Sequence, residues 1–166
     1  MTFTTSNFAV QSVSSFSPVA SVLAAFKRLS SNEKLGVLWF TYKAMGNGSV
    51  TPAATGAARM QFAEGLLAQV KALDSGKQML FMQDLVNCRK TPMTTAYGTL
   101  TNNTKLAFWY QLAVLMSNGD VIGVPSSYAL SSSAQDVYNR IVALEFGQQI
   151  TLLRQTVVNM GYDSFA

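Results

Sequence analysis

The stretch Asn103–Asn118, with the sequence NTKLAFWYQLAVLMSN, predicts the clearest helix in this protein. Its apolar residues recur at intervals of three and four, which is the spacing of a helix face. One face carries Leu106, Trp109, Tyr110, Ala113 and Met116, and the opposite face carries Phe108, Leu112 and Leu115. A helix that is apolar nearly all round must bury both faces, so one face is available to a second apolar body such as a ligand.

Helices are also predicted on the N-terminal side of this stretch. Ser17-Pro18 combines an N-cap residue with a first-turn proline. Ser30 and Glu33 predict a capping box for a helix over 31–45, and Gly46-Asn47-Gly48 is a strong signal for its end.

The middle of the chain continues the helical pattern. Thr51-Pro52 predicts the start of a helical region that carries an apolar face as far as Leu73. Ser75 and Gln78 are interpreted as the cap of a helix that reaches about Cys88, after which Thr91-Pro92 breaks the pattern.

Two more helices follow the 103–118 helix, which Asn118-Gly119 closes. Residues 120–131 contain Gly123 and Pro125 and are predicted to form an irregular loop. Ser132 and Gln135 predict the cap of a helix to about Leu144, and a last helix covers about 146–160. No segment alternates with the period of a strand. The sequence therefore predicts an all-α fold of seven to nine helices, with residues 1–16 as an N-terminal arm and 17–166 as one helical domain.

The composition argues against catalysis and for an apolar ligand. The 166 residues are 49% hydrophobic and 12% charged, about half the usual share of charged residues. Without histidine there is no imidazole base or metal ligand, and the single cysteine excludes an internal disulfide. Ten Phe, six Tyr, two Trp and eight Met exceed what the core of one small domain needs. We therefore expect a non-enzymatic protein without a metal site that binds something apolar.

The charge distribution bears on the kind of partner, and the absence of signal and membrane-spanning patterns bears on the location of the protein. The net charge of +4 comes from scattered bases without the basic stripe of a nucleic-acid-binding domain, so either ordinary solvated lysines or a face for an acidic protein fits it. The chain has neither the charged start and apolar run of a secretory signal nor a stretch of 18 apolar residues. We expect a cytoplasmic protein.

Individual residues leave two interpretations open. Trp39 with Tyr42, and Trp109 with Tyr110, are either core aromatics or the walls of a ligand site, in which small Ala113 leaves room for a flat or rod-like guest. Arg154, at the edge of an apolar helix face, either extends to solvent or borders a tunnel mouth or a partner carboxylate.

Several blocks of sequence resemble one known family. The blocks are Val37-Leu38-Trp39-Phe40-Thr41-Tyr42, Gly56-Ala57-Ala58, Met60-Gln61-Phe62-Ala63-Glu64, Lys105-Leu106-Ala107-Phe108-Trp109-Tyr110, Val124-Pro125 with Tyr128, Gly147 to Arg154, and Asn159 to Asp163. In this order and spacing they resemble the N-terminal domain of the cyanobacterial orange carotenoid protein over about residues 15–163. Because the chain ends at Ala166, it also resembles the helical carotenoid proteins, which are stand-alone relatives of that domain.

The resemblance implies a fold and a ligand. The family fold has two interleaved four-helix bundles that enclose a carotenoid tunnel, and its ligands are keto-carotenoids such as canthaxanthin, echinenone and 3'-hydroxyechinenone. By position, the ring region of the pigment would contact Trp39, Tyr42, Leu106, Trp109 and Tyr110. The rest of the site would include Leu35, Leu38, Gly56, Met82, Ala113, Met116, Val124, Tyr128, Ile150 and Arg154.

The resemblance also implies a role in photoprotection. The leading expectation is quenching of singlet oxygen or carriage of pigment by a mainly monomeric protein. The alternative is a quencher that docks on the phycobilisome at the thylakoid surface, where Arg154 would contact the partner. A C-terminal-domain-like carotenoid carrier is a further expected partner, and a ligand-free structural domain is the third interpretation.

Overall fold

The computed structural model describes residues 17–45 and 59–165, and these ranges contain eight α-helices and no strand. The predicted all-α class is confirmed, and the eight helices of the described ranges lie within the predicted seven to nine. The helices are α1 (Pro18–Lys27), α2 (Ser31–Met45), α3 (Met60–Ala72), α4 (Ser75–Val86), α5 (Pro92–Gly98), α6 (Asn102–Asn118), α7 (Ser132–Val142) and α8 (Phe146–Val158). The predicted N-terminal arm, the Gly46-Asn47-Gly48 helix end, the Thr51-Pro52 helix start and Gly56 lie outside the described residues.

The helices pack as two groups of four, and the second group, α3 to α6, is inserted in the chain between α2 and α7 of the first. In the first group α1 packs on α7 and α8, and α2 packs on α7. In the second group α3 packs on α4, α5 and α6, and α4 packs on α5. Contacts of α6 with α8, and of α2 with α4 and α6, join the groups. Within the described ranges, no helix has the length and hydropathy required to cross a membrane.

Helix α6 lies at the centre of the core, as its sequence predicts. Phe108 and Leu112 are fully buried on one side, and Leu106 is fully buried as well. The helix ends at Gly119, whose φ of +81° is the left-handed conformation that glycine adopts at little cost. Its first residue is Asn102 instead of Asn103, because Thr101 caps it by accepting a hydrogen bond from the Thr104 amide.

One predicted cap is confirmed and two are corrected. The Ser30 amide donates to Glu33 (2.8 Å) and the Glu33 amide donates to Ser30 Oγ (3.3 Å), which is the predicted capping box. The cap of α4 is Asp74, which accepts from the Lys77 amide, and not the predicted pair Ser75 and Gln78. The cap of α7 is likewise Ser131 instead of Ser132, a shift of one residue within a run of serines.

The predicted helix does end before Thr91-Pro92, since α4 stops at Val86, but sequence reasoning missed that these two residues start the short helix α5. Thr91 and Thr94 form a reciprocal capping box, and Pro92 occupies the first helical turn. A proline is compatible with that turn, since the amide it lacks has no partner inside the helix.

The segment after α8 closes the second group of helices. Gly161, with φ +75°, donates its amide to Leu85 O (2.8 Å), and Tyr162 donates its amide to Thr94 O (3.1 Å). The Tyr162 backbone lies so close to Gly98 that a Cβ on Gly98 would meet the carbonyl carbon of Tyr162 at 2.7 Å and would clash with its oxygen. The closing segment therefore requires glycine at position 98.

We expect Gly98→Ala to lower the free energy of unfolding by about 2 kcal/mol or more, because the methyl group meets backbone that has no room to move. Urea unfolding followed by circular dichroism measures the change.

Gly65→Ala is the matched control. It lies within α3, and nothing lies within 4 Å of an added Cβ, so the substitution should stabilise the protein by about 0.5–1 kcal/mol. Equal stability of the two variants would contradict the close approach at Gly98.

Candidate functional site

An apolar cavity of about 240 Å³ lies between α2, α4, α6 and the segment that follows α6. Carbon and sulfur atoms form most of its surface. The lining residues are Asn32, Leu35, Gly36, Leu38, Trp39, Tyr42, Met79, Met82, Gln83, Trp109, Ala113, Met116, Gly123, Val124, Pro125 and Tyr128.

Helix α2 forms the long wall of the cavity. Its lining residues run from Asn32 to Tyr42 at intervals that keep them on one helix face. Ten residues at 1.5 Å per residue correspond to about 15 Å, so the cavity is elongated along α2. Helix α6 supplies Trp109, Ala113 and Met116 at i, i+4, i+7, which is the face that its sequence predicts.

Trp109 is held in place by a chain of hydrogen bonds. Its Nε1 donates to Tyr97 Oη (2.9 Å), and Tyr97 Oη donates to the Val157 carbonyl (2.6 Å). Tyr97 has 0% exposure, and burial raises the pKa of its phenol well above the ordinary value. This chain joins α5, α6 and α8 and fixes the indole that lines the cavity.

A buried lysine strengthens the same junction. Lys105 Nζ lies 5.4 Å from the centre of the Tyr97 ring and donates to the Val158 carbonyl (3.2 Å), one of the last carbonyls of α8. Burial lowers the pKa of Lys105, and Asp163 partly opposes that shift. The side of α6 away from the cavity is thus tied to the end of α8.

Tyr42 differs from Tyr97 in its hydrogen bonding. Its ring lines the cavity and its hydroxyl is buried, but no residue of the described ranges forms a hydrogen bond with that hydroxyl. Burial raises the pKa of the phenol far above its usual value. Tyr42 therefore contributes an apolar ring and an unpaired hydroxyl to this end of the site.

The segment between α6 and α7 closes another side of the cavity. Gln78, which was predicted to cap α4, is buried and accepts a hydrogen bond from the Ile122 amide (2.8 Å) while its Nε2 donates to Val70 O and Leu73 O (3.1 Å each). Its side chain thereby fixes the start of the segment whose next residues, from Gly123 to Tyr128, include lining residues.

The ring of Tyr128 packs against the backbone of α2 at Gly36. A Cβ on Gly36 would lie 2.6 Å from Tyr128 Oη and 2.8 Å from its Cε1, so the ring rests directly on the backbone of α2. The Tyr128 ring also stacks with the ring of Phe40, at 6.4 Å between centroids and 19° between planes. Glycine inside a helix costs stability, and here it allows an aromatic ring to close the cavity.

Most of the predicted site residues meet in this cavity. Those that line it are Leu35, Leu38, Trp39, Tyr42, Met82, Trp109, Ala113, Met116, Val124 and Tyr128. Leu106 is fully buried in the adjacent core, Tyr110 and Ile150 pack half-buried against that core, and Arg154 is half-buried on α8. None of these four lines the cavity.

Sequence reasoning missed six lining residues, namely Asn32, Gly36, Met79, Gln83, Gly123 and Pro125. Met79 carried a signal, because it precedes Met82 by three residues and so shares its helix face. Asn32 and Gln83 are polar and partly exposed, and the 3.0 Å hydrogen bond between their side chains has no signature in the sequence.

The described residues contain no cluster of three or more His, Cys, Asp or Glu side chains that would hold a metal ion. Cys88 is exposed, has φ +54° and donates its thiol to the Asn159 carbonyl (3.1 Å). That contact ties the end of α4 to the end of α8 and gives the thiol a structural role.

Comparison with protein families and named relatives gives one consistent result. The family model described as orange carotenoid protein, N-terminal, matches residues 12–163. An orange carotenoid-binding domain-containing protein of Nostoc sp. is 49% identical over 148 residues, which cover 89% of this chain and 86% of the relative. The orange carotenoid-binding protein of Synechocystis sp. is 42% identical over 144 residues, which cover 87% of this chain and 45% of the relative.

Solved structures agree with the sequence comparison. The Red Carotenoid Protein of Anabaena (Nostoc) sp. binding canthaxanthin superposes with a TM-score of 0.77 at 35% identity, over 89% of this chain and 100% of that one. The Orange Carotenoid Protein of the same organism, also binding canthaxanthin, gives a TM-score of 0.80 at 40% identity, over 88% of this chain and 47% of that one.

We expect Tyr97→Phe to lower the free energy of unfolding by about 1–3 kcal/mol, because it leaves the Trp109 indole and the Val157 carbonyl buried without their partner. Tyr42→Phe is the matched control and should be neutral or stabilising, since the hydroxyl it removes has no partner in the described ranges. Urea unfolding measures both. A larger loss in Tyr42→Phe than in Tyr97→Phe would contradict these hydrogen-bond assignments.

The buried phenols of Tyr42 and Tyr97 also make the stability of the protein depend on pH. Because burial raises both pKa values, the folded protein holds these protons more tightly than the unfolded chain. Their contribution to stability is complete below pH of about 10 and is lost as the pH rises further. The free energy of unfolding of each Tyr→Phe variant should therefore decline less steeply above that pH than that of the unaltered protein. Identical slopes of free energy against pH would contradict the burial of the phenols.

Proposed function

Because the chain belongs to the family of orange carotenoid protein N-terminal domains, we propose that it binds a keto-carotenoid in the α2–α4–α6 cavity and acts in photoprotection, by quenching singlet oxygen or by carrying the pigment. The observation that carries the proposal is the cavity itself, an elongated apolar space with a tryptophan from each of two helices in its wall.

The lining residues fit a polyene with oxygen atoms on its end rings. A carotenoid is an apolar rod of roughly 25–30 Å, about the length of a 15–20-residue helix. The cavity offers about 15 Å along α2 and presents aromatic rings, leucines and methionine side chains. The polar side chains of Asn32 and Gln83 lie in its wall as well, where a ring oxygen would find hydrogen-bond donors.

The proposed site extends beyond the cavity, because a carotenoid is longer than the space along α2. A rod longer than the cavity must pass further residues, and those that the family pattern implies are Leu106, Tyr110, Gly56, Ile150 and Arg154. Leu106 and Tyr110 stand on α6 within one turn of Trp109, and Ile150 and Arg154 stand on α8, which packs on α6. We keep these residues in the proposed binding site.

The protein's own residues would hold and shield the ligand. Trp109 presents a fixed indole because Tyr97 binds its Nε1. Tyr128 closes one side because Gly36 has no Cβ. Ala113, half-buried between large side chains, leaves room for the rod, and the methionines adapt to its outline.

When bound, the carotenoid supplies a polyene that accepts excitation from singlet oxygen and releases it as heat, so no group of the protein has to make or break a bond. Candidate ligands of this class are canthaxanthin, echinenone and 3'-hydroxyechinenone. The protein contributes conformation, surroundings and access, which are what a rigid apolar cavity controls.

Filling the cavity should abolish pigment binding. We expect Ala113→Leu, purified from cells that produce canthaxanthin, to carry less than about a tenth of the pigment of the unaltered protein, because the larger side chain occupies the space of the rod. Absorbance of the polyene relative to the protein gives the pigment content, and urea unfolding checks that the variant is folded.

Ala68→Leu on the exposed face of α3 is the matched control and should load normally. A colourless unaltered protein would contradict the proposed function. Normal loading of Ala113→Leu would show that the pigment binds elsewhere.

Arg154 favours a second candidate function, docking on the phycobilisome and draining its excitation. No ion pair within the described ranges holds its guanidinium, and its Nε is buried without a hydrogen-bond partner there. We propose that its guanidinium pairs with a partner carboxylate, which an antenna protein or a C-terminal-domain-like pigment carrier would supply.

If docking occurs, pigment-loaded protein should lower the fluorescence of isolated phycobilisomes, and Arg154→Leu should remove most of that effect. Arg28→Leu, an exposed charge at the end of α1, should not. Unchanged fluorescence with the unaltered, loaded protein would exclude the antenna role and leave singlet-oxygen quenching or pigment carriage.

A further inference from the structure

Three methionine side chains share the apolar cavity. Met79 and Met82 come from α4 and Met116 comes from α6. Met82 is only 2% exposed. Met79 and Met82 stand three residues apart on one helix face, so their Cβ atoms are about 5–6 Å apart and their flexible thioethers can meet.

The cavity around these thioethers suits a small apolar guest. Apolar cavities in proteins take up small apolar molecules such as xenon or benzene. Dioxygen is small and apolar in the same way, so it can enter this space whenever the pigment is absent. The sulfur atoms of the three methionines would then be its electron-rich neighbours, together with the two tryptophan rings.

We propose that Met79 and Met82 form a paired chemical trap for singlet oxygen inside the cavity. The trap rests on the proposed function in one respect only, that the protein works where singlet oxygen is produced. The chemistry itself needs no pigment and differs from physical quenching, because it consumes the protein's own thioethers.

The two thioethers and one molecule of singlet dioxygen account for all atoms and electrons of the reaction. A sulfur lone pair of one methionine adds to one oxygen atom of singlet dioxygen and forms an S–O bond. The second sulfur then bonds to the outer oxygen as the O–O bond breaks, which leaves one sulfoxide on each methionine. Each sulfur loses two electrons and the dioxygen gains four, so no proton, water or outside reductant takes part. A single thioether would instead have to release the dioxygen or use water and produce hydrogen peroxide.

The consequence for the site is a loss of affinity for apolar ligands. Sulfoxide formation turns a flexible apolar side chain into a polar one. Two sulfoxides in the wall of the cavity would oppose the entry of a polyene. Oxidised protein should therefore reload pigment several-fold less well than the unoxidised protein.

The test uses the pigment-free protein, illuminated with a dye that generates singlet oxygen, followed by tryptic digestion and mass spectrometry. Cleavage after Lys77 and Arg89 places Met79 and Met82 in one peptide. The peptide also contains the exposed Cys88, so fragment ions must assign each added oxygen to its residue. We expect Met79 and Met82 to gain one oxygen atom each, together and faster than Met93 or Met160, which lie outside the cavity. Oxidation no faster than at those two methionines, or stepwise gain of single oxygens, would overturn the proposal.

Met82→Leu conserves volume and removes the partner thioether. It should slow sulfoxide formation at Met79 several-fold, whereas the control Met160→Leu should leave the paired oxidation unchanged. An unchanged rate at Met79 in Met82→Leu would overturn the pairing. Preferential oxidation of Trp39 or Trp109 would do the same.

Pigment-loaded protein separates this proposal from the proposed function. If the bound carotenoid quenches singlet oxygen, the paired peptide is protected in loaded protein and oxidised in pigment-free protein. A pigment in this cavity protects the methionines both by quenching and by excluding dioxygen, so equal oxidation in both states would contradict pigment binding in this cavity and leave the trap intact. Absence of paired oxidation in the pigment-free protein would overturn the trap and leave quenching intact.

Discussion

The structure depends on one constraint, which is that α6 is apolar on both sides and both sides have to be buried. One side packs into the core, where Phe108 and Leu112 are fully buried and α3 and α8 lie against the helix. The other side, with Trp109, Ala113 and Met116, meets α2 and α4 across a cavity. The protein alone does not fill that second side. An apolar rod would complete it, which is why the family membership and the packing lead to the same ligand class.

Polar contacts at the edge of the cavity keep its shape. Tyr97 fixes Trp109 from the core side, and Gln78 fixes the segment after α6 from the α3–α4 turn. Gly36 lets Tyr128 close the space directly against α2. These contacts use hydroxyl, amide and backbone groups, and they hold in place the aromatic rings and the segment that line the cavity. A protein built in this way contributes conformation and access to its ligand, and it leaves the photochemistry to the pigment. The same apolar interior also admits dioxygen to Met79 and Met82 when the pigment is absent.

The periodicity of the sequence predicted the parts of the site that lie on long helices. The lining faces of α2 and α6 follow directly from the spacing of their apolar residues, and the Ser30–Glu33 capping box follows from its pattern. Other parts depend on tertiary contacts that no local pattern contains. Pro92 begins α5 because the first turn of a helix tolerates proline and Thr91 caps that turn. The Gln78 side chain points inward because it forms hydrogen bonds with three backbone groups, at Val70, Leu73 and Ile122. Periodicity shows which side of a helix is buried but not what it is buried against, so Leu106, which shares a helix face with Trp109, lies in the core beside the cavity.

The most direct test of the central claim is a crystal structure of the protein purified from canthaxanthin-producing cells. The account predicts one continuous rod of pigment density along the inner face of α2, between the rings of Trp39 and Trp109 and past Ala113. Pigment density that does not enter the space between α2, α4 and α6, or a cavity filled by rearranged side chains with pigment on the surface, would contradict it.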